Sequence, residues 1–115
     1  MKKVLITGIS GFAGSHLAEY LLSKRKYDVS GTYLLEDSVE RNLGKIKNNL
    51  NLVKVDLTNN KRVFDLLKSV KPNLVFHLAA LSYTGTSFKA PFLTINNNIA
   101  SQMNVLSAIK DNNLF

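Results

Sequence analysis

The residues best suited to chemistry in this chain are three glycines near its start, spaced as Gly8-x-x-Gly11-x-x-Gly14. They follow a short apolar run directly and open a stretch with helical periodicity. The first glycine permits a sharp turn off a strand, the second lets a ligand approach the backbone, and the third lets a helix pack closely on a sheet. Free N–H groups at the start of such a helix attract anions, so the spacing predicts a binding turn for phosphate groups.

The elements that must position this turn alternate between strand-like and helix-like patterns. Strands are predicted over residues 4–7, 29–34, 52–55 and 74–77. Helices are predicted over residues 12–26, around 39–43, from 59 to Pro72, and from Pro91 to about residue 111. This alternation predicts an α/β fold, a Rossmann-type doubly wound parallel sheet with helices on both faces. We expect the strands in the order third, second, first, fourth.

Three local features refine the predicted helices. Thr58 is the expected N-cap of the third helix, and the cluster Lys24-Arg25-Lys26 falls where the first helix should end, so that it complements the helix dipole. The expected buried face of the third helix is Val63, Phe64, Leu67 and Val70. The apolar residues of the last helix, with Phe92 and Met103 expected in a core, are Phe92, Ile95, Ile99, Met103, Leu106 and Ile109.

Length and composition set the class of protein. The 115 residues allow one small domain, and no apolar run approaches the length of a membrane span. The absence of cysteine excludes disulfides and thiolate metal sites, and two widely spaced histidines do not predict a metal site. A net charge of +7 suits an anionic nucleotide ligand, and the scattered lysines do not favour nucleic acid as the partner. We expect a cytoplasmic protein without membrane or nucleic-acid partners.

Four ordered motifs resemble those of the extended short-chain dehydrogenase/reductases. The glycine turn is similar to the family's opening fingerprint, and Asp56-Leu57 resembles its acidic pair after the third strand. His77-Leu78-Ala79-Ala80 resembles the alanine-rich turn after the fourth strand, and Asn98 and Asn104 fit the fourth-helix pattern, although Ser101-Gln102 replaces its Gly-Thr. The resemblance implies an NAD(P)-binding domain over residues 1–115.

The resemblance also implies which residues bind the cofactor, either NAD or NADP. Asp56 would bond the adenine amino group, although an aspartate after a strand also caps a following helix. The implied cofactor-binding residues are Gly8, Ser10, Gly11, Phe12, Ala13, Gly14, Tyr33, Asp56, Leu57, Leu78, Ala79, Ala80, Ser82 and Asn98. The end of the second strand usually carries an acidic residue for NAD or an arginine for NADP. Tyr33 stands at that position and does not distinguish NAD from NADP. Glu36, Asp37 or Arg41 could substitute for it from the loop that follows, although the sequence does not place them.

Within the family, residues 80–91 look most like GDP-mannose 4,6-dehydratases and related 4-keto-6-deoxyhexose reductases, with other nucleotide-sugar dehydratases and epimerases close behind. This implies a nucleotide-sugar substrate. Ser82 and Ser87 touch a ribose or a sugar, or else only shape their loop. The alternatives are a dinucleotide-binding or sensor module without catalysis, and a truncated product without function of its own.

No catalytic residue is assigned in this chain. The family's tyrosine and lysine acid/base pair follows a fifth strand, whereas the pattern here stops after the fourth strand and helix. The one Tyr-x-x-x-Lys, from Tyr20 to Lys24, lies in the first helix and is interpreted as a core-edge tyrosine beside a solvated lysine. His77 is interpreted as a hydrogen-bonded packing residue and His16 as solvated. Without a fifth strand, the apolar face of the last helix would be partly uncovered, so we expect a homo-oligomer.

Overall fold

Four parallel strands form the sheet of this protein, in a computed structural model that describes residues 1–80 and 88–115. The strands are β1 (Lys2–Thr7), β2 (Tyr27–Tyr33), β3 (Asn51–Lys54) and β4 (Leu74–His77). Their order is β3-β2-β1-β4 and every neighbouring pair is parallel, which confirms the predicted sheet. Observed and predicted strand ends agree to within two residues.

Four α-helices with both ends in the described ranges connect and follow these strands. They are α1 (Phe12–Ser23), α2 (Glu36–Leu43), α3 (Asn60–Val70) and α4 (Pro91–Asp111), and a single 3₁₀ turn (Lys47–Asn49) precedes β3. The helix α1 ends before the predicted residue 26, because Lys24 caps it and Arg25 takes a left-handed backbone (φ 55°). The basic cluster therefore lies at and just beyond the helix end. Within the described residues, no helix has the length and apolarity to cross a membrane.

The helices cover both faces of the sheet, as a doubly wound fold requires. Successive residues of a strand point to opposite faces. Val4 and Ile6 of β1 pack with the apolar residues of α1 and α2, whereas Leu5 between them packs with those of α3 and α4. All three side chains are fully buried, and each such burial contributes about 1.5–3 kcal/mol. The strand β1 is thus the centre of both cores and a firm support for the turn that follows it.

The start of α3 corrects one prediction. Thr58 is not the N-cap: the N-cap is Asn59, whose side chain accepts a hydrogen bond from the Arg62 N–H at 3.1 Å. Both the N–H and the hydroxyl of Thr58 instead donate to Asp56 Oδ1, at 3.0 and 2.7 Å. The buried face shifts accordingly, and Leu66 joins Val63 and Leu67 while Phe64 and Val70 are only half-buried.

The helix α4 corrects a second prediction. It packs on α3, and its buried residues are Thr94, Ser101, Val105 and Ala108. The apolar residues expected in a core lie on nearly the opposite side of the helix, so Phe92 is 80% and Met103 is 55% exposed. Small side chains let two helices approach closely, which explains why this less apolar side faces α3. The expectation of an uncovered apolar face is confirmed for this chain.

Candidate functional site

An open groove of about 680 Å³ runs along the edge of the sheet where the four strands end. Residues that follow each strand line it, together with residues from α2 and α4. In open α/β sheets, ligands bind outside the carboxyl ends of the strands, where helices leave the sheet on opposite faces. The volume lies in the range of small-molecule and cofactor sites.

Two of the three glycines are required by the protein itself. Gly8 has a left-handed backbone (φ 67°), and a Cβ there would lie 2.8 Å from the Ala79 Cα. A Cβ on Gly14 would lie 2.4 Å from the Gly8 carbonyl oxygen and 2.8 Å from the Ile9 Cα. Because these neighbours are backbone atoms, a side chain cannot displace them cheaply. Gly8 and Gly14 therefore bring α1 and the loop after β4 against the end of β1.

Gly11 differs, because the protein barely constrains it. A Cβ there would meet only the Gly8 carbonyl oxygen, at 3.3 Å, and would otherwise extend into open space. Gly11 is the N-cap of α1 and provides no side-chain cap for the helix. Phe12 and Ala13 of the uncapped first turn line the groove. The first N–H groups of a helix have no partner within it, so this end of the groove suits an anion.

The helix α2 ties down the same turn. The Asn42 side-chain amide donates to the Ser10 carbonyl oxygen at 2.7 Å, and the Ser38 and Ser10 hydroxyls are hydrogen-bonded at 2.7 Å. Ser10 itself is buried. These bonds fix the glycine turn from the side opposite β4, so that its N–H groups are held in place before any ligand arrives.

Thr7 is the hub that joins β1 to the loop after β4. Its buried hydroxyl accepts hydrogen bonds from the N–H groups of Leu78 and Ala79, at 3.0 and 3.1 Å, and is hydrogen-bonded to His77 Nδ1 at 2.7 Å. A hydroxyl has two acceptor sites and one proton, so that proton goes to Nδ1, which must be unprotonated. Burial also lowers the pKa of His77, which favours the same neutral imidazole. His77 is thus a hydrogen-bonded packing residue.

Asp56 lies two residues beyond the end of β3 and lines the groove. Hydrogen bonds from the Thr58 N–H and hydroxyl lower the pKa of its carboxyl group, so the carboxylate is ionised near neutrality. The helix-capping alternative is not what the geometry shows, since Asn59 caps α3. Both hydrogen bonds from Thr58 end on Oδ1 of Asp56. The other carboxylate oxygen, Oδ2, is therefore not used by Thr58.

Most of the predicted cofactor-binding residues lie together. Those that line the groove are Gly8, Ser10, Gly11, Phe12, Ala13, Gly14, Tyr33, Asp56, Leu57, Leu78, Ala79 and Ala80. Asn98 does not line it; the residues of α4 that do are Asn97 and Ser101. Asn104 lies further along α4, where its amide donates to the Leu57 carbonyl oxygen at 2.9 Å. Ser82 and Ser87 fall outside the described residues.

Sequence reasoning gave no role to Ser38 or Asn42 and did not place Arg41. Ser38, Arg41 and Asn42 of α2 line the groove, and their spacing of three and four residues places them on one side of a helix. That polar spacing was the available signal, but a polar stripe on a short helix is usually a solvated face. The carboxylates Glu36 and Asp37, at the start of the same helix, line a smaller adjoining pocket that shares Tyr33 with this groove.

The Tyr-x-x-x-Lys of α1 lies away from the groove. Tyr20 is 57% exposed, and the Lys24 ammonium group lies 4.8 Å from the centre of its ring. His16 is exposed and packs edge-on against Phe12. Of the described residues that line the groove, none is a lysine. The pair lies away from the groove and Lys24 is solvated, as interpreted, but Tyr20 is exposed and does not lie at the edge of the core.

Comparison with known proteins gives consistent matches along the chain. Residues 5–115 match the family described as GDP-mannose 4,6 dehydratase. The GDP-mannose 4,6-dehydratase of Yersinia enterocolitica is 32% identical over 122 residues, covering 99% of this chain and 32% of that protein. The GDP-mannose 4,6 dehydratase of Cricetulus griseus is 33% identical, covering 95% and 32%. The chain spans about a third of the length of these curated relatives.

Solved structures agree with this result. The enzyme WbmH of Bordetella bronchiseptica, solved in complex with NAD⁺, superposes with a TM-score of 0.79 at 35% identity, covering 99% of this chain and 36% of that one. UDP-glucose-4-epimerase of Stenotrophomonas maltophila, with bound NAD and formylated UDP-arabinopyranose, gives a TM-score of 0.82 at 30% identity, covering 98% and 34%. The glycine turn, the sheet order and the family match all point the same way: this chain belongs to the GDP-mannose 4,6-dehydratase family, among the nucleotide-sugar dehydratases and epimerases of the extended short-chain dehydrogenase/reductases.

Proposed function

We propose that this chain is the NAD(P)-binding portion of a nucleotide-sugar dehydratase of the GDP-mannose 4,6-dehydratase type. The observation that carries the proposal is the contrast between Gly11 and its two neighbours in the motif. Gly8 and Gly14 lack side chains because the protein's own backbone fills the space, whereas the space at Gly11 is open and faces an uncapped helix end. Such a cradle fits a pyrophosphate.

The chain's residues have separate parts in holding the cofactor. The first-turn N–H groups of Phe12 and Ala13 bind the pyrophosphate, and Asp56 and Leu57 border the adenine. The loop that starts at Leu78 would border the nicotinamide half of the cofactor, where the small side chains of Ala79 and Ala80 line the groove. Asn98 and Ser82 remain predicted contacts. A bound cofactor would supply the hydride acceptor for a sugar carbon, and this chain would bind and orient it.

We further propose that the chain alone does not catalyse the reaction. Among the described residues, the groove has no tyrosine and lysine pair: Tyr33 lines it, but no lysine does. Losing general acid/base catalysis lowers a rate by about 10²–10⁴-fold, and losing the groups that position a substrate lowers it further. The curated relatives are about three times as long, so their further length has room for those groups.

Two measurements test this function. Calorimetry of the purified chain with NAD⁺ and NADP⁺ should show saturable binding of at least one of them. An assay with NAD(P)⁺ and a panel of nucleotide sugars, which follows reduced cofactor and 4-keto product, should show no turnover above background. Turnover that disappears in a Tyr20→Phe variant would make the surface pair catalytic and overturn the proposal.

The same measurements separate the alternatives. The assay is repeated with the part of a relative that this chain does not cover, added as a second polypeptide. Cofactor binding that is still without turnover would favour a sensor module that only binds the dinucleotide. A chain that binds neither cofactor would favour a product without independent function. A cytoplasmic location and the absence of a nucleic-acid partner remain predictions.

We also propose that the chain forms a homo-oligomer through the exposed side of α4. Its apolar residues Ile95, Ile99 and Met103 are each more than half exposed. Between Pro91 and Ala108 the helix carries no charged side chain, so two copies can pair without bringing like charges together. A second copy is therefore a suitable occupant of this face.

A further inference from the structure

One buried hydroxyl group on α4 has no partner among the described residues. Seven polar residues are buried there, and all of them are serines or threonines. Ser101 is 5% exposed, and its hydroxyl forms no hydrogen bond within that part of the chain. The other six each form a side-chain hydrogen bond, the longest being 3.5 Å at Ser30: they are Thr7, Ser10, Ser15, Ser30, Thr32 and Thr94.

The Ser101 hydroxyl opens on the groove. Across residues 1–80 and 88–115, no side-chain oxygen or nitrogen is both fully buried and without a hydrogen bond. The small exposed part of Ser101 therefore includes its hydroxyl oxygen, and Ser101 lines the groove together with Asn97, one turn earlier on α4. A polar group kept out of bulk water without a partner costs free energy. A ligand in the groove would supply that partner.

Packing explains the size of Ser101 but not its hydroxyl. The close approach of α4 to α3 needs a small side chain on this side of the helix, and Ala108, two turns later, meets that need with a methyl group alone. Alanine also has the higher helix propensity. The oxygen of Ser101 is therefore the feature that the contact between the two helices leaves unexplained.

Asn104 fixes the place of Ser101 relative to the turn after β3. It follows Ser101 by three residues, so the two side chains are neighbours on α4. The Asn104 amide group donates to the Leu57 carbonyl oxygen at 2.9 Å, and its side-chain oxygen accepts from the Asn60 amide at 3.0 Å. Leu57 and Val105 pack in the same core. The Ser101 hydroxyl is thus held beside Leu57, at the end of the groove that follows β3.

We infer that the Ser101 hydroxyl binds the adenine of the dinucleotide, by donating a hydrogen bond to one of its ring nitrogens. The inference rests on the proposed function, in which Asp56 and Leu57 border the adenine. An ionised carboxylate has no proton to donate, so Asp56 can accept from the adenine amino group but cannot bond the ring nitrogens, which are acceptors. The Ser101 hydroxyl supplies the missing donor.

This contact distinguishes the chain from proteins that keep the fourth-helix pattern of the family. That pattern has a glycine at the position of Ser101, and glycine has no side chain that could bond a base. The substitution therefore adds a donor to the wall of the groove and keeps the residue small enough for α4 to pack on α3.

Ser101→Ala tests the inference, because it removes only the hydroxyl. Calorimetry of the 115-residue chain with NAD⁺ and NADP⁺ should show binding that is weaker by about two- to tenfold, as the loss of one hydrogen bond implies. The melting temperature should stay the same or rise, because the protein loses no hydrogen bond of its own and gains a better helix former. Unchanged affinity in this variant would overturn the inference and leave the proposed function intact.

Thr94→Val is the matched control on the same helix. It also removes a buried hydroxyl, but one that donates to the Ala90 carbonyl oxygen at 3.1 Å and does not line the groove. It should leave both affinities unchanged. An equal loss of affinity in the two variants would show a general effect on α4 and contradict a bond from Ser101 to the ligand.

Analogues of ADP identify the atom that is bonded. In 1-deaza-, 3-deaza- and 7-deaza-ADP, one ring nitrogen of the adenine is replaced by a C–H group. One of them should bind the wild-type chain more weakly than ADP by a factor that shrinks in Ser101→Ala, because a contact that has lost one partner cannot be lost again. If Ser101→Ala weakens ADP and all three analogues equally, the hydroxyl does not bind the adenine. Failure of the wild-type chain to bind ADP and both dinucleotides would instead contradict the proposed function.

Discussion

The two sides of the groove differ in how completely their apolar side chains are buried. On the β1–α1 side, Val4, Leu5 and Ile6 are fully buried, and the glycine turn is in backbone contact on several sides. On the β4–α4 side, the edge strand leaves Leu74 and Phe76 more than a third exposed, and α4 turns its larger apolar residues to solvent. The chain therefore determines the shape of the phosphate end by itself.

This difference indicates which end of the groove depends on contacts with other polypeptide. A central strand is covered on both faces and paired on both sides, whereas an edge strand has unpaired backbone groups on one side. The phosphate end lies beside the central strand β1, and the loop after β4 begins at the edge. We expect changes at the phosphate end to act on folding or on ligand binding in this chain alone, and changes on the other side to act on association.

Gly14→Ala should have the largest effect, on stability. The new Cβ would overlap the Gly8 carbonyl oxygen and the Ile9 Cα, so the helix would have to move off the sheet. We expect the free energy of unfolding to fall by about 3 kcal/mol, measured by urea denaturation followed by circular dichroism. Gly11→Ala is the matched control and should cost less than about 1 kcal/mol, because its Cβ meets one atom at 3.3 Å. Equal losses for both variants would contradict the division of roles between the glycines.

Gly11→Val should abolish dinucleotide binding while the chain stays folded. Residue 11 has an extended backbone (φ −76°, ψ 179°), which a β-branched residue tolerates, but its side chain would fill the space for the pyrophosphate. The affinity for NAD(P)⁺ should fall at least about a hundredfold, as the loss of several charge-assisted hydrogen bonds implies. Undiminished binding in a folded variant, measured by calorimetry, would make the turn structural only.

Acidification should weaken the junction between β1 and β4. The pKa of His77 is lowered below its ordinary 6.5 by burial, so the folded state binds fewer protons than the unfolded chain at mildly acidic pH. Its contribution to stability is complete above pH 6.5 and is lost as the pH falls through the folded-state pKa. Urea denaturation at pH 7.5 and at lower pH should show this loss in the wild-type chain.

His77→Asn is the control for that titration. The Asn side-chain oxygen can accept the Thr7 proton in place of Nδ1 but does not titrate. The part of the pH dependence that comes from His77 should therefore disappear in this variant, while the stability at pH 7.5 changes little. If the pH dependence of the variant equals that of the wild type, the hub at Thr7 is not sensitive to protonation.

Ile99→Gln should have the smallest effect on folding and act on association instead. Ile99 is 57% exposed, so the free energy of unfolding should change by less than about 0.5 kcal/mol. Sedimentation velocity should show oligomers of the wild-type chain that become monomers in the variant. Tyr20→Gln on α1 changes a side chain of the same exposure and should leave the oligomer intact. A wild-type chain that sediments as a monomer would contradict the proposed interface.

Local sequence patterns were enough for the strands, their parallel pairing and the glycine turn, whereas their order follows from the fold that the resemblance implies. A parallel sheet follows from alternating strands and helices, and the positions of Gly8, Gly11 and Gly14 relative to β1 follow from the chain itself. The residues directly after each strand could also be placed, because parallel strands end at one edge. Asp56 and Ala79 therefore lie where they were predicted, along the groove.

Patterns were not enough where two sides of one helix compete. The apolar residues of α4 were predicted to be its buried side, and this prediction was wrong. The buried side instead includes the small residues Ser101 and Ala108, which let α4 pack closely on α3. Likewise, both Thr58 and Asn59 are suitable N-caps by type, and the carboxylate of Asp56 decides between them by engaging Thr58. Side-chain type limits which residues can be an N-cap or a buried side, and contacts with neighbouring residues decide among them.

The sequence by itself determined the fold and the phosphate end of the groove, because both depend on backbone geometry that glycines and short periodic segments specify locally. Only the tertiary structure decided that Arg41 and not Glu36 lines the groove, and that Thr7 joins the first strand to the loop after the fourth. These outcomes depend on how far one helix turns about its axis and on contacts between residues some seventy positions apart. Such contacts form only when the sheet has assembled, so no local pattern encodes them.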